Sequence, residues 1–155
     1  MKTKELIGLK NVSKVTEGLK QLLADLQLYY ANLRGYHWHI AGKDFYVLHK
    51  QFEEMYDDIS EKADEVAERL LMLGETPEHR FSEYLKLAKI KETGIVSDGE
   101  KAMKSVLEVY KYLIKCERQI LADASEAGDE VTVALMSDFL SEQEKAVWMF
   151  SAYLA

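Results

Sequence analysis

The sequence predicts an all-α protein of one domain, residues 1–155, built from four long helices with a short helix in the connection between the second and third. Three observations predict this. Apolar residues recur at three- and four-residue steps over long spans, as in Phe45, Leu48, Phe52, Met55, Ile59, Val66 and Leu70, which is the period of one helix face. The β-branched residues form no sustained alternating run, and Pro77 is the single proline. A chain of this length buries a core of its own as one domain.

The first helix is expected from about residue 12 to residue 39. Ser13 is placed to cap it, and Val15, Leu19, Leu22, Leu26 and Tyr30 form its apolar stripe. Ala41-Gly42-Lys43-Asp44 makes the turn, and the pattern between Gly42 and Gly74 then reads as one uninterrupted helix. Gly74 followed by Pro77 is ordinary punctuation for a helix C-terminus. Residues 81–88 form a short helix inside a long connection. The third long helix starts after Ser97-Asp98, with the aspartate able to cap it, and runs to about Glu126. Gly128 breaks the chain there, and Asp129-Glu130 open the fourth. Two helical hairpins joined by one long crossover make the topology of ferritin-like bundles.

Composition narrows the partners. No apolar stretch approaches the roughly 20 residues of a membrane-spanning helix, and no basic-then-apolar leader opens the sequence. No membrane association is expected. The single cysteine, Cys116, forms no intrachain disulfide and fits a reducing cytoplasm. The net charge of −7 repels phosphate backbones. Lys2, Lys4 and Lys10 are the only basic residues among the first ten, and no basic run precedes Ala155. DNA binding is therefore expected to be weak or absent.

Two histidines and three acids stand at helical spacings. His49 and Glu53 lie one turn apart on one face of the second helix, as do Asp64 and Glu68. Imidazole nitrogen with carboxylate oxygen is a ligand set for iron and related divalent metals. The two pairs differ by about 60° in angle but lie roughly 22 Å apart along the axis, whereas metal–ligand bonds are about 2 Å long. Two solutions remain. Each pair serves a separate site, or two copies of the helix run antiparallel across a twofold axis and bring His49 of one beside Asp64 and Glu68 of the other. The second is preferred, with His37 completing each site, because it leaves no acid idle. The plainer alternative is that acids four apart line a solvated face and that His49 is a satisfied, half-buried histidine.

A ferritin-like site inside one bundle uses Glu-x-x-His steps. Arg34, Tyr36, Tyr46 and Thr76 occupy the places three residues before the four histidines, which disfavours such a site. His39 points about 200° away from His37 on a helix, and His79 sits in a polar loop beside Glu78 and Arg80. Neither is placed in the site. Tyr29, Tyr30 and Tyr36 are read as core.

The motifs resemble those of the Dps family, the starvation-induced, DNA-protecting branch of the ferritin-like proteins. They are His37-Trp38, Gly42, Phe45, Leu48-His49-Lys50-Gln51-Phe52-Glu53, Asp64-Glu65-Val66-Ala67-Glu68-Arg69, Leu73-Gly74-Glu75-Thr76-Pro77, and Glu144-Lys145-Ala146-Val147-Trp148. The similarity covers nearly the whole chain. It implies a mini-ferritin: a hollow homododecamer with metal sites at twofold dimer interfaces and the short crossover helix at that interface. It implies iron storage and protection against oxidative stress through a ferroxidase, an oxidoreductase acting on Fe(II).

The ligands the resemblance implies are His37, His49, Asp64 and Glu68, with Glu53 a supporting metal ligand where relatives often carry Asp. Iron, Fe(II) and Fe(III), would occupy up to two positions per site. Hydrogen peroxide, or alternatively dioxygen, would be the oxidant, and Trp38 would quench radicals. Asp129, Glu130 and Asp138 are candidates for a threefold channel that draws in cations; the alternative for the first two is complementing a helix dipole. The rival readings are a DNA-compacting shell with an incidental metal site, a structural shell with a degenerate site, and a manganese or zinc binder.

Overall fold

The computed structural model describes residues 2–155 and is helical throughout its regular structure. In order, the helices are α1 (Thr3–Leu6), α2 (Ser13–His39), α3 (Phe45–Met72), α4 (Phe81–Leu87), α5 (Gly99–Glu126) and α6 (Glu130–Leu154). α2 packs along α3, α5 along α6, and α2 against α5, so the two hairpins close into one bundle with α4 lying on α2. This is the expected architecture, with α1 as a short addition.

The core is built from the periodic stripes. Leu19, Leu22, Leu26 and Leu33 of α2 meet Phe52, Ile59, Val66 and Leu70 of α3, Val106 and Leu113 of α5, and Met136 of α6, all essentially without solvent contact. At roughly 1.5–3 kcal/mol for each large apolar side chain removed from water, this contact is the main force closing the bundle. Gly18 lets α2 and α5 approach, since a Cβ there would stand 2.7 Å from Cγ1 of Ile120.

The helix ends follow local chemistry. Asp98 caps α5 by accepting the Lys101 N–H at 2.7 Å, as expected. Gly74 takes a φ of +83°, the left-handed conformation that ends α3. There the Glu75 N–H donates to the Leu70 carbonyl and the Gly74 N–H to that of Leu71. One expectation fails. Ser13 is the first residue of α2 rather than its cap; Val12 holds the cap position and no side chain caps that end. α3 starts at Phe45, after the expected turn over residues 41–44, where Gly42 takes a φ of +101°.

Polar side chains of α2 stitch the crossover to the bundle. The buried Asp25 carboxylate accepts the backbone N–H groups of Lys89 at 2.7 Å and Ile90 at 2.9 Å, and the Tyr112 hydroxyl at 2.7 Å. Asn32 donates to the Lys91 carbonyl at 2.9 Å and accepts the Thr93 N–H at 3.0 Å. Backbone groups of Lys89, Ile90, Lys91 and Thr93 in the segment between α4 and α5 are thus satisfied without regular structure.

Candidate metal centre

The structure brings His37 and His49 together where the end of α2 crosses the first turns of α3. Their rings stack with centroids 3.8 Å apart and planes 14° from parallel. Each ring is held by the other residue's backbone: Nδ1–H of His37 donates to the His49 carbonyl at 2.6 Å, and Nδ1–H of His49 to the His37 carbonyl at 2.8 Å. A carbonyl only accepts, so Nδ1 carries the proton in both rings. In the neutral ring Nε2 then keeps the lone pair, the tautomer a metal ligand requires, with its orientation fixed by the bond at the other nitrogen.

Aromatic rings complete the setting. Phe45 stacks on His49 with centroids 4.9 Å apart, and the edge of Tyr56 meets His37 at 5.4 Å. Tyr56 in turn packs against Tyr30 at 5.6 Å. Burial, with the negative charges of Glu53 and Asp57, raises the pKa of the Tyr56 phenol. Sequence reasoning missed Tyr56, yet it lies seven residues, two turns, beyond His49 on the same face. Of the three tyrosines read as core, Tyr29 and Tyr36 are buried, while Tyr30 is half-buried beside Tyr56. Trp38 is 60% exposed, so it is not a core residue of the single chain; Arg34 lies over both its ring and that of Tyr30.

Asp64 and Glu68 stand apart from the histidines, while Glu53 lies one turn from His49. Glu53, Asp64 and Glu68 are exposed on α3. None of the three enters an ion pair among the described residues. α3 is one unbroken helix of 28 residues, so Asp64 remains roughly 22 Å from His49 along the axis. Among the described residues no three of His, Cys, Asp and Glu converge within one chain. His49 and Glu53 thus lie one turn apart near the start of α3, His37 joins them from α2, and Asp64 and Glu68 lie roughly 22 Å further along α3. His39 and His79 are exposed and outside the pair.

One channel candidate is corrected. Asp129 is 1% exposed. Its carboxylate pairs with Arg69 at 2.6 Å, caps α6 through the Thr132 N–H at 3.0 Å, and accepts the Thr132 hydroxyl at 2.5 Å. Arg69 also donates to Thr132 Oγ1 at 2.9 Å. Such a buried, saturated network ties α3 to α6 and leaves Asp129 no free oxygen for a passing cation. Glu130 and Asp138 are exposed.

The model of the ferritin-like domain matches residues 16–155. The chain is 55% identical over 151 residues to the DNA protection during starvation protein of Porphyromonas gingivalis, spanning 96% of this chain and 95% of that protein. The crystal structure of a Dps protein from Vibrio cholerae O1, described as a member of a broad superfamily of ferritin-like diiron-carboxylate proteins, matches with a TM-score of 0.94. That likeness has 49% identity and covers 97% of this chain and 96% of the other. Antigen TpF1 from Treponema pallidum matches with a TM-score of 0.90 and 37% identity, covering 92% of each chain. Fold and relatives together define a ferritin-like protein. Within that class, the chain belongs to the Dps family. No helix among its described residues is long and apolar enough to cross a membrane.

Proposed function

We propose that this chain is a ferroxidase and iron store. Fe(II) is the substrate, bound by His37 and His49 of one copy and by Asp64 and Glu68 of a twofold-related copy, with Glu53 assisting. Two ions can share each site. The observation that carries the reading is the reciprocal imidazole pair, which holds two rings side by side with each Nδ1 engaged by a backbone carbonyl and each Nε2 left to face a metal. The carboxylates favour the harder Fe(III) product and so ease oxidation. Two Fe(II) ions lose one electron each, and the O–O bond of one hydrogen peroxide breaks as it takes both. Water hydrolyses the ferric product to an oxide and releases protons to solvent. The mineral collects inside a dodecameric cytoplasmic shell, and removing iron and peroxide together limits oxidative damage. Dioxygen is the slower alternative oxidant.

The test is ferric absorbance after anaerobic Fe(II) loading and addition of peroxide. The assembled Asp64→Ala/Glu68→Ala variant should oxidise iron at least about tenfold more slowly than the parent, given that even supporting partners of metal ligands cost 10–100-fold. Shells assembled from mixed His49→Ala and Glu68→Ala copies should recover activity that neither variant has alone. A mixed pair keeps one site with both ligand sets intact. Equal rates in parent and double variant would sink the ferroxidase reading, and absence of recovery on mixing would sink the shared site.

A further inference from the structure

A polar pair buried between α5 and α6 stands outside the site just described. Glu117 of α5 is wholly excluded from solvent, and Gln143 of α6 is buried beside it. Gln143 Nε2 donates to Glu117 Oε1 at 2.8 Å. The other oxygen of each group, Glu117 Oε2 and Gln143 Oε1, is buried without a partner. Buried polar atoms are almost always paired. An amide oxygen and a carboxylate oxygen both only accept, so neither satisfies the other unless a proton stands between them.

No cation is paired with this carboxyl. Among the described residues Glu117 enters no ion pair. From α3, the ammonium of Lys62 is taken by Asp58 and by Glu142 of α6. From α2, Asp25 is taken by Tyr112 and by the backbone of Lys89 and Ile90. On α5 itself the titratable neighbours are Tyr110 and Cys116, and burial raises the pKa of both. An ionised Glu117 would be a lone charge in the core, which is strongly unfavourable. We propose that Glu117 is a neutral carboxylic acid whose Oε2–H donates to Gln143 Oε1, so that acid and amide close a ring of two hydrogen bonds, and that this proton is a pH-sensitive latch between α5 and α6. One proton satisfies both orphaned oxygens at once. Its loss leaves a bare carboxylate facing an amide oxygen, two acceptors that repel.

The direction of the response follows from burial. Exclusion from water pushes Glu117 up to about 8, against the opposing pulls of the Gln143 hydrogen bond and the Lys62 charge. A cleft of about 200 Å³, lined in part by Tyr110 and Gln143, gives water a way in when the helices part. Once wet, the carboxyl returns to its ordinary value, so the closed pair binds the proton more tightly than the open one. Protons therefore favour the closed state. The opening constant is flat below the ordinary glutamate value, rises about tenfold per pH unit from there to about 8, and levels off above.

Infrared difference spectra of the assembled protein test the proton. The parent should show a protonated-carboxyl C=O band that Glu117→Gln lacks, fading with a midpoint near 8. Gln143→Met should keep that band but move it to higher wavenumber, since the acid then has no amide to bond. Where Gln143→Met does not fold, the exchange Glu117→Gln/Gln143→Glu restores one acid and one amide, and its band should stand where the parent's does. Hydrogen exchange tests the latch. Protection of the backbone around residues 117 and 143 should fall about tenfold per pH unit up to about 8 in the parent. In Glu117→Gln it should stay flat, because an amide there keeps both hydrogen bonds at any pH. A parent without the band, a band that Gln143→Met leaves in place or the exchanged pair displaces, or equal pH dependence of protection in parent and Glu117→Gln overturns the proposal. Failure of Glu117→Gln to fold would overturn it too, since that side chain can make every bond the latch requires.

Discussion

At the residue scale, the reach of sequence reasoning depended on whether a side chain's role was local. Asp98 as a cap was legible because cap and acceptor are three residues apart. That His37 and His49 stand near one another was suggested by their motifs. That each ring would be locked by the other's carbonyl was not, because this depends on how α2 and α3 cross. Asp129 shows the opposite failure: an acid at a helix start looked available, but its partner Arg69 lies 60 residues away in sequence. Breaking that pair by removing one member would cost about 3–5 kcal/mol.

Glu117 carries a pH prediction at the same scale. Its folded pKa of about 8, raised chiefly by burial, lies above the ordinary glutamate value. Below that ordinary value both folded and unfolded chains hold the proton. Between it and about 8 only the folded chain does, so this residue's contribution to stability falls as pH rises and levels off above. Glu117→Gln cannot ionise. Denaturant unfolding of parent and variant should therefore show the variant gaining stability relative to the parent from about pH 5 to pH 8. A pH-independent difference would mean that Glu117 titrates normally.

At the scale of elements, helix periodicity and glycine punctuation carried most of the fold. The ends near Gly74 and Gly128 stand where expected because both glycines take left-handed conformations, with φ of +83° and +70°. The start of α2 falls within one residue of the expected place, but its cap was misassigned to Ser13: Val12 occupies the cap without a capping oxygen. Gly74→Ala meets no nearby atom closer than 3.6 Å, so its cost is conformational alone. It should destabilise the protein by about 1–2 kcal/mol in urea unfolding at fixed protein concentration. No measurable loss would show that the end of α3 relaxes to another turn.

At the scale of the whole molecule, charge governs what the surface attracts. Each chain carries −7, and an assembly multiplies that figure. In a gel-shift at physiological salt, duplex DNA should run unretarded with assembled protein, and retardation that survives such salt would overturn the expectation. Large apolar side chains such as Tyr46, Phe81, Ile95 and Trp148 are more than 60% exposed in the single chain. Exposed residues of this kind were not legible as such from the sequence, because a periodic stripe does not say whether the same chain or another covers it.

The stiffness of α3 sets an order of events. A rod that holds His49 near one end and Asp64 and Glu68 toward the other cannot fold back on itself to close a site. On the proposed reading, a newly made or detached copy is chemically silent toward iron however much is present. Turnover per copy should then depend on how crowded the copies are, rising from nothing at high dilution to a plateau. The cell gains a safeguard: oxidation begins only once a partner is in place, and so only where a container for the product is already being built.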